Sequence, residues 1–362
     1  MKIALLNLPV DNNYGGHLQR YALIKTLQKL GHTVTHLKLL NKTKLPWYKM
    51  PYSYTKRIIL KYIFKKRNIH IFHEQYINNI NSQNQILSNL FYEKYIPHTK
   101  SLYSIRDIKA ECLNKYDVYI VGSDQVWRKS MTKQIGLRNY LFHFIKTHKV
   151  KRLAYAISLG SDLCEFSNKD IKELSPLYNS FEAVSVREIS ALTILQQCGW
   201  NFPKAQVTLD PTLLLSSDEY DYLIKHSNSQ PYTQGKIYSY ILDLDKKKRD
   251  FIHNQGKEKK LDYIIEGLNT SNNVSIEQWL CNIKNASMVI TDSYHGTVFS
   301  IIFMKPFIFL GNKRRGNTRI ESLFSLLNIN PKDTITLDGE VINKKINELR
   351  EVSLSFFDYL KE

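Results

Sequence analysis

Short runs of β-branched and aromatic residues alternate with amphipathic segments along most of the chain, and this alternation is the strongest constraint on its fold. The first unit has a strand-like run at 2–7, a helix whose Leu23, Leu27 and Leu30 share one face, and a second strand at 34–39. Such a unit predicts a right-handed parallel crossover. Further strands are predicted at 116–122, 152–158, 183–186, 206–209, 236–242, 287–291 and 307–310.

The length of 362 residues predicts two domains, because a typical domain has roughly 150 residues. A content of 43% hydrophobic and 23% charged residues excludes both a membrane bundle and a disordered chain. We expect an α/β fold of two Rossmann-like, doubly wound lobes that face each other across a cleft. The predicted lobes are 1–165 and 166–362, with the last helix packing back on the first lobe.

The four cysteines are scattered without a C-x-x-C pair, which is typical of neither a disulfide framework nor a zinc site. This pattern indicates a reducing compartment. The apolar N-terminal run is too short for a signal peptide, and no uncharged apolar run reaches 18 residues. We therefore expect a cytoplasmic protein, either free or held peripherally at the inner face of the cell membrane.

The net charge of +18 arises from 51 Lys and Arg against 33 Asp and Glu, and most of the excess lies in one stretch. No acidic residue occurs between Asp11 and Glu74, whereas thirteen Lys and Arg do. Residues 57–67 interleave basic and bulky apolar residues at near-helical spacing, a pattern typical of a helix resting on an anionic bilayer. A nucleic acid is the competing partner, and a solvated face needs no partner. Residues 42–67 are called the basic segment below.

A turn of small and polar residues joins the strand at 287–291 to an apolar helix. It contains Asp292, Ser293, His295, Gly296 and Thr297. The free N–H groups of the helix start predict an anion site, and Gly296 would let a phosphate approach the backbone. We expect the charge of Asp292 to favour a His295 imidazolium that holds a phosphate or donates a proton. The alternative is a structural histidine with Asp292 as the helix cap.

Arg187 lies where a strand ends and a helix begins, so it faces the predicted crevice at the carboxyl edge of its sheet. A guanidinium there can bind a carboxylate or phosphate through two N–H groups. The alternative is a structural ion pair with Glu188 or Asp210. Arg314 and Arg315 are weaker candidates for the same role.

A further group of candidate site residues follows the strand at 116–122, where Ser123, Asp124 and Trp127 occur close together. Asp124 could act as a base or accept a sugar hydroxyl, and Trp127 could stack on a sugar ring. The alternative is an aspartate helix cap beside a tryptophan of the core.

The loop after the first strand contains Asn13, Tyr14 and Gly15 and leads to Gln19, and we expect these residues to bind substrate. The loop lacks the third glycine of a G-x-G-x-x-G fingerprint, and the chain has no P-loop sequence. Dinucleotide binding and P-loop chemistry are therefore disfavoured.

Metal and hydrolase motifs are also absent from the sequence. The single D-x-D, at Asp243 and Asp245, is followed by four basic residues that would neutralise it, and we interpret it as chance. No H-E-x-x-H, G-x-S-x-G or clustered His and Cys set occurs. We expect no metal site.

Taken together and in order, these motifs resemble the polysaccharide pyruvyl transferase family. The resemblance rests on N-Y-G-G-H-L-Q-R-Y-A-L at 13–23, V-G-S-D-Q-V-W at 121–127, Y-A-I-S-L-G at 155–160, S-V-R-E at 185–188, T-L-D-P-T-L-L at 208–214 and D-S-Y-H-G-T-V-F-S-I-I-F at 292–303. It spans most of the chain. His17 and Arg20 fill positions that vary in the family, and the basic segment matches no family motif.

The resemblance implies a fold like that of GT-B glycosyltransferases and transfer from phosphoenolpyruvate to two hydroxyls of one sugar, giving a cyclic pyruvate ketal and phosphate. It implies phosphoenolpyruvate as co-substrate and no required metal. We also expect no other cofactor and no nucleic acid partner. The acceptor would be a bacterial surface glycan or its lipid-linked oligosaccharide precursor. His295 would contact phosphate or act as acid, Arg187 would bind donor charge, and Asp124 would serve the acceptor.

Two alternatives from other functional classes stay open on the sequence. One is a glycosyltransferase of the same architecture that uses a nucleotide sugar. The other is a protein that binds anionic glycans without catalysis.

Overall fold

The structure, a computed structural model, describes residues 1–147, 149–267, 274–312, 316–331 and 334–361. Two parallel sheets organise these residues. The strands are β1 (Lys2–Leu6), β2 (Thr33–His36), β3 (Val118–Asp124), β4 (Lys151–Ile157), β5 (Ala183–Val186), β6 (Gln206–Val207), β7 (Ile237–Tyr240), β8 (Tyr263–Glu266), β9 (Met288–Thr291) and β10 (Phe307–Phe309). The predicted α/β class with two parallel sheets is confirmed.

Helices connect most of the strands. They are α1 (Tyr14–Lys29), α2 (Met50–Ile58), α3 (His73–Asn84), α4 (Ile86–Tyr95), α5 (Ile105–Cys112), α6 (Leu137–Tyr140), α7 (Asn168–Tyr178), α8 (Ile189–Gln197), α9 (Ser217–Lys225), α10 (Lys246–Lys259), α11 (Ile276–Asn285), α12 (Tyr294–Ile302), α13 (Thr318–Leu327) and α14 (Gly339–Ser355). Short turns of 3-10 helix lie at Trp47–Lys49, Pro211–Leu213 and Phe356–Leu360, and a π-helical turn lies at Ile59–Ile63. Within the described ranges, no helix is both long and apolar enough to cross a membrane.

The first sheet has six strands in the order β2-β1-β3-β4-β5-β6. It therefore includes β5 and β6, which lie beyond the 165/166 boundary predicted from the sequence. Ala183 pairs with Leu153 and Val184 with Ala154 in parallel register, so β5 extends the first sheet rather than starting a second. The prediction of that boundary was wrong because alternation along a chain orders the elements without saying which sheet each strand joins.

The second sheet has four strands in the order β10-β9-β7-β8. Its edge strand β8 was not predicted from the sequence. Only one of its four residues is buried, and it follows the lysine-rich helix α10, so its apolar signal is weak. The second lobe thus begins after β6 and its sheet starts at β7.

The C-terminal segment packs against the first sheet. The Leu209 N–H, just beyond β6, donates to Ser353 Oγ of α14 at 2.9 Å. Beyond α14, Phe357 stacks on Tyr155 of β4 with 4.9 Å between ring centroids. These contacts return the C-terminal segment to the first sheet.

We expect Phe357→Ala to lower the free energy of unfolding by about 3–5 kcal/mol, because it empties a buried aromatic site beneath Tyr155. Denaturant unfolding measures the change. Tyr359→Ala in the same turn is the control, since Tyr359 is half-exposed and its loss should cost far less. Equal costs at the two positions would contradict this packing.

Candidate active site

The carboxyl ends of strands from both sheets meet at one cavity of about 220 Å³. The first lobe contributes the loop after β1, the start of α1 and the end of β3, and the second contributes the turn after β9 and the start of α13. The residues that line it include Asp11, Asn12, Asn13, Gly15, Asp124, Gln125, Tyr240, Trp279, Asp292, Ser293, Tyr294, His295 and Arg319. This cavity lies between the sheets, where the sequence predicts a crevice.

A buried ion pair lies beside this cavity. Arg187 Nη1 lies 2.9 Å from Asp210 Oδ2, and both side chains are almost fully buried. Gln19 Nε2 donates to the same carboxylate oxygen at 2.7 Å, while Thr212 donates to Oδ1 through its N–H and its hydroxyl. Burial opposes ionisation of Asp210, but the charge of Arg187 and the two hydrogen bonds from Thr212 hold its pKa below the ordinary value. The carboxylate is therefore ionised.

The pairing of Arg187 with Asp210 is one of the two structural alternatives that the sequence left open. Glu188 takes another role, because its Oε1 accepts from the Ser158 hydroxyl and from the N–H groups of Leu159 and Gly160. The Arg187 nitrogens are not aligned with any acceptor in the described part of the chain, so the contact with Asp210 is ionic. Arg187 lies behind the cavity wall and not on its surface.

Asp124 and Arg319 form a second charged pair at the cavity surface. Arg319 Nη1 lies 3.4 Å from Asp124 Oδ1, and Arg187 Nη2 lies 3.8 Å from the same oxygen. The Tyr294 ring lies close to both guanidinium groups, at 5.2 Å from Arg187 Cζ and 5.3 Å from Arg319 Cζ. Two cations and two carboxylates are thus held around one aromatic ring.

His295 enters this cluster from the second lobe, in the first turn of α12. Its Nε2 lies 3.8 Å from Asp210 Oδ2, and this Nε2 has no hydrogen-bond partner among the described residues. Burial lowers the pKa of His295 to about 4, and Arg187 adds to this effect against the opposing charge of Asp210. The predicted imidazolium is therefore wrong for the free protein, in which His295 is neutral at pH 7.

The prediction attributed that imidazolium to the charge of Asp292. In the structure, Asp292 instead binds groups of neighbouring loops. It binds Lys248 Nζ at 2.6 Å and accepts the N–H groups of Leu242 and Asp243. The helix cap is Ser293, whose Oγ accepts from the Gly296 N–H at 3.3 Å. Asp292 is thus neither a charge partner of His295 nor the cap.

Gly296 and Thr297 do not face the cavity. A Cβ at Gly296 would lie 2.3 Å from Thr291 Oγ1, so this glycine lets α12 pack tightly on the end of β9. The Thr297 hydroxyl donates to the Ser293 carbonyl inside the helix. The predicted approach of a phosphate at Gly296 is corrected, because the close neighbour there is Thr291.

The start of α1 packs directly on His295. Asn13 caps this helix by accepting the Gly16 N–H, and a Cβ at Gly15 would lie 1.9 Å from His295 Nδ1. Tyr14 crosses to the second lobe, where its hydroxyl donates to the Val274 carbonyl at 2.6 Å. The predicted loop therefore lies at the site, with Asn13 and Gly15 on the cavity and Tyr14 joining the lobes.

The tryptophan predicted to stack on a sugar lies in the core. Trp127 is fully buried against Tyr178, Phe181 and Trp200, and its indole N–H donates to the Tyr140 carbonyl. It cannot contact a ligand, which is the alternative that the sequence left open.

The remaining weaker candidates divide between buried and undescribed positions. Ser123 is buried and does not line the cavity. Arg314 and Arg315 lie outside the described residues. Asp245 caps α10 by accepting the Lys248 N–H, and Asp243 accepts from Asn312. Across the described ranges, no group of three or more His, Cys, Asp or Glu is placed to hold a metal ion.

Sequence reasoning missed Arg319 and Tyr294 as parts of the site, and it named Asp210 only as a partner for Arg187. Tyr294 follows two predicted residues, so its position in the turn was a usable signal. No sequence signal indicated Arg319, because it lies in α13, beyond the last predicted strand. Only the folded arrangement of α13 brings it to the cavity. Gln125 borders the cavity and directly follows the predicted Asp124.

The model of the polysaccharide pyruvyl transferase family matches residues 13–314, which is more than half of the chain. The chain belongs to this family. The resemblance inferred from the motifs is therefore confirmed, and the chain is placed among enzymes of this kind. Among curated proteins, no significant match is found.

Solved structures with a similar backbone arrangement have low sequence identity to this chain. UDP-GlcNAc 2-epimerase from Methanocaldococcus jannaschii, in complex with UDP-GlcNAc and UDP, is 13% identical with a TM-score of 0.49, over 97% of this chain and 100% of the epimerase. S. aureus MnaA with UDP is 12% identical with a TM-score of 0.49, over 98% and 90%. An alpha-glucosyltransferase in complex with UDP-glucose and DNA is 10% identical with a TM-score of 0.45, over 99% and 92%. Similarity at this level identifies neither the activity nor the ligand of this chain.

We expect Gly15→Ala to lower the rate of pyruvyl transfer by about a hundredfold, because the new Cβ displaces the His295 ring. Gly16→Ala is the matched control, since a Cβ there meets nothing nearer than Arg20 Nη1 at 3.4 Å. Initial rates of the two variants and circular dichroism spectra make the comparison. Equal rates would show that the position of His295 does not matter.

We expect acid to destabilise the protein partly through His295. Its pKa of about 4 lies below the ordinary value of 6.5, so the unfolded chain takes up a proton first as the pH falls. The free energy of unfolding then decreases between pH 6.5 and 4, by about 1.4 kcal/mol per pH unit for one histidine.

Denaturant unfolding across this pH range, with wild type and His295→Asn compared, measures that contribution. The free energy of unfolding of the variant should depend less steeply on pH, and the difference should correspond to the uptake of one proton. Buried His17 and His36 also have lowered pKa values, but they contribute equally to both proteins. Identical slopes would mean that His295 titrates normally in the folded state.

Proposed function

We propose that this protein transfers an enolpyruvyl-derived group from phosphoenolpyruvate to two hydroxyls of one sugar, forming a cyclic pyruvate ketal and releasing phosphate. The observation that carries the proposal is an interlobe cavity that His295 and Arg319 line and that Arg187 adjoins without reaching its surface, in a chain of this family. Phosphoenolpyruvate carries a phosphate and a carboxylate, and cationic side chains suit both groups.

His295 and Arg319 both line the cavity, so we assign them to direct contact with the donor. The Nε2 atom of His295 is buried 3.8 Å from Asp210 Oδ2 and has no hydrogen-bond partner among the described residues, and we assign it the contact with the phosphate. A dianion bound beside this ring would favour the protonated form and raise the pKa from its low value in the free protein. Donor binding would thereby convert a neutral histidine into an acid.

Arg187 is a positioning residue in this proposal. It lies against the Tyr294 ring and forms an ion pair with Asp210. Because Arg187 does not reach the cavity surface, its loss should act by shifting the positions of the Tyr294 and His295 side chains. It should therefore lower the maximal rate as well as donor affinity.

The reaction needs an acid for the donor and a base for the acceptor. One sugar hydroxyl adds to the substituted carbon of the donor, and the methylene carbon gains a proton to become a methyl group. The second hydroxyl then displaces the phosphate, which leaves with the remaining proton. We assign Asp124, on the first-lobe side of the cavity, to the acceptor hydroxyls.

The acceptor in this proposal is a sugar of a bacterial surface polysaccharide, such as an exopolysaccharide or a capsule, or its lipid-linked precursor. Such a precursor would place the reaction at the cytoplasmic leaflet of the cell membrane. Neither a metal nor a further cofactor takes part, so a chelator should leave the rate unchanged.

The first test is donor binding and turnover. Calorimetry with phosphoenolpyruvate alone measures donor binding. Incubation with a panel of hexopyranosides carrying free neighbouring hydroxyls should release phosphate and produce a ketal methyl signal by NMR. Transfer from a nucleotide sugar instead would establish a glycosyltransferase, and glycan binding without turnover would establish a binding protein.

His295→Ala and Arg319→Ala should each lower the rate by at least about a hundredfold, as loss of a group that stabilises transition-state charge commonly does. Arg187→Ala should do the same, and Arg187→Lys should recover part of the rate by restoring the charge. Arg249→Ala, on the exposed face of α10, is the matched control. Circular dichroism checks folding, and normal rates in folded His295 and Arg319 variants would contradict the assignment.

A further inference from the structure

The basic segment forms an exposed surface rich in aromatic and aliphatic side chains. It carries the 3-10 turn at Trp47–Lys49, helix α2 and the π-helical turn at Ile59–Ile63, none of which contains a buried residue. Its large exposed side chains are Trp47, Tyr48, Met50, Tyr52, Ile58, Ile59, Tyr62, Ile63 and Phe64. Trp47 is 80% exposed, which is unusual for a tryptophan.

Cationic side chains accompany these apolar groups. Eight of them are exposed, namely Lys42, Lys44, Lys49, Lys56, Lys61, Lys65, Lys66 and Arg67. Three of the lysines lie over neighbouring rings, at 5.8 Å for Lys49 and Tyr48, 6.0 Å for Lys56 and Tyr52, and 5.7 Å for Lys61 and Tyr62. Rings and ammonium groups thus occur side by side on one surface, with no acidic residue in the segment.

The remaining cation of the segment anchors it to the fold. Both Nη atoms of Arg57 donate to the Glu74 carboxylate of α3, at 2.8 and 2.7 Å. Asn78 of α3 also exchanges two hydrogen bonds with the backbone of Thr43. The surface is therefore held in place on α3 by its inner side while its outer side chains face solvent.

The surface begins beside the cavity. The Val10 N–H donates to the Leu39 carbonyl at 2.8 Å, and Val10 and Leu40 form a parallel bridge. Asp11, the next residue after Val10, lines the cavity. The basic segment thus leaves the first sheet at the same edge as the active site.

We propose that the basic segment docks the protein on an anionic lipid bilayer. Aromatic rings are suited to the headgroup region, aliphatic side chains can enter the acyl boundary, and ammonium groups meet the anionic headgroups. A nucleic acid would use the cations and could stack on rings, but it offers no environment for exposed Ile58, Ile59 and Ile63. The mixture of apolar and basic groups therefore favours the bilayer.

Vesicle sedimentation tests this docking, with the full chain and without donor or acceptor. Phosphatidylcholine vesicles with and without phosphatidylglycerol serve as probes. We expect binding to the anionic vesicles that weakens as salt increases, and at least about tenfold weaker binding to the neutral ones. Because no substrate is present, this result is independent of the proposed reaction.

Two charge-matched variants locate the contact. The first replaces Lys56, Lys61, Lys65, Lys66 and Arg67 with Gln and leaves Arg57 in place to keep its ion pair with Glu74. The second replaces five exposed cations of α10, namely Lys246, Lys247, Arg249, Lys257 and Lys259, with Gln. We expect the first variant to bind anionic vesicles at least about tenfold more weakly than wild type, and the second to bind nearly as well as wild type.

A third variant, with Trp47, Tyr52, Tyr62 and Phe64 replaced by Ser, tests the apolar contribution and should also bind more weakly. Equal losses of vesicle binding in the two Gln variants would show that only net charge matters and would overturn the proposal. Equal binding of the wild type to vesicles with and without phosphatidylglycerol would also overturn it. Binding of a DNA or RNA oligonucleotide that depends on the five segment cations, without vesicle binding, would assign the surface to nucleic acid instead.

Discussion

The ion pair between Arg187 and Asp210 is the interaction on which the site depends. A buried pair of this kind gains little net stability, but removing one partner leaves an uncompensated charge and costs about 3–5 kcal/mol. Here the carboxylate is further held by Gln19 from α1 and by Thr212. The pair therefore ties the end of β5, the 3-10 turn after β6 and helix α1 into one arrangement.

Helix α1 carries that arrangement to the second lobe. Gln19 holds Asp210, and one helical turn earlier Gly15 lies against the His295 ring. Tyr14 then joins the second lobe through its hydrogen bond to Val274 and its stacking on Tyr240. Because one helix contacts both the ion pair and His295, a movement of one lobe against the other changes the distances among the charged groups.

Much of the fold could be predicted from the sequence because strands and helices leave local signals. The strand and helix order, the loop at Asn13 and Gly15, and the turn at His295 follow from periodicity and small residues. Membership of a sheet does not, since the pairing of β5 with β4 is set by residues thirty positions apart. The two-domain boundary failed for this reason.

Side-chain environments were harder to predict than positions. Trp127 and Asp124 are three residues apart, yet one is in the core and the other at the cavity. The protonation state of His295 depends on burial by α1, and Asp292, its neighbour in sequence, turns away to Lys248. Arg319 could not be placed at all, since only the folding of α13 over the cavity brings it to Asp124.

Charge balance in the cluster shows what donor binding would demand under the proposed function. Two guanidinium groups, Arg187 and Arg319, face two carboxylates, Asp124 and Asp210, and His295 is neutral. An incoming phosphate and carboxylate add negative charge that the free cluster does not offset. His295 is the group in this cluster whose low pKa leaves room to gain a proton, so binding of the donor and protonation of the acid would occur together. The same proton would then be close to the donor, where the reaction needs it.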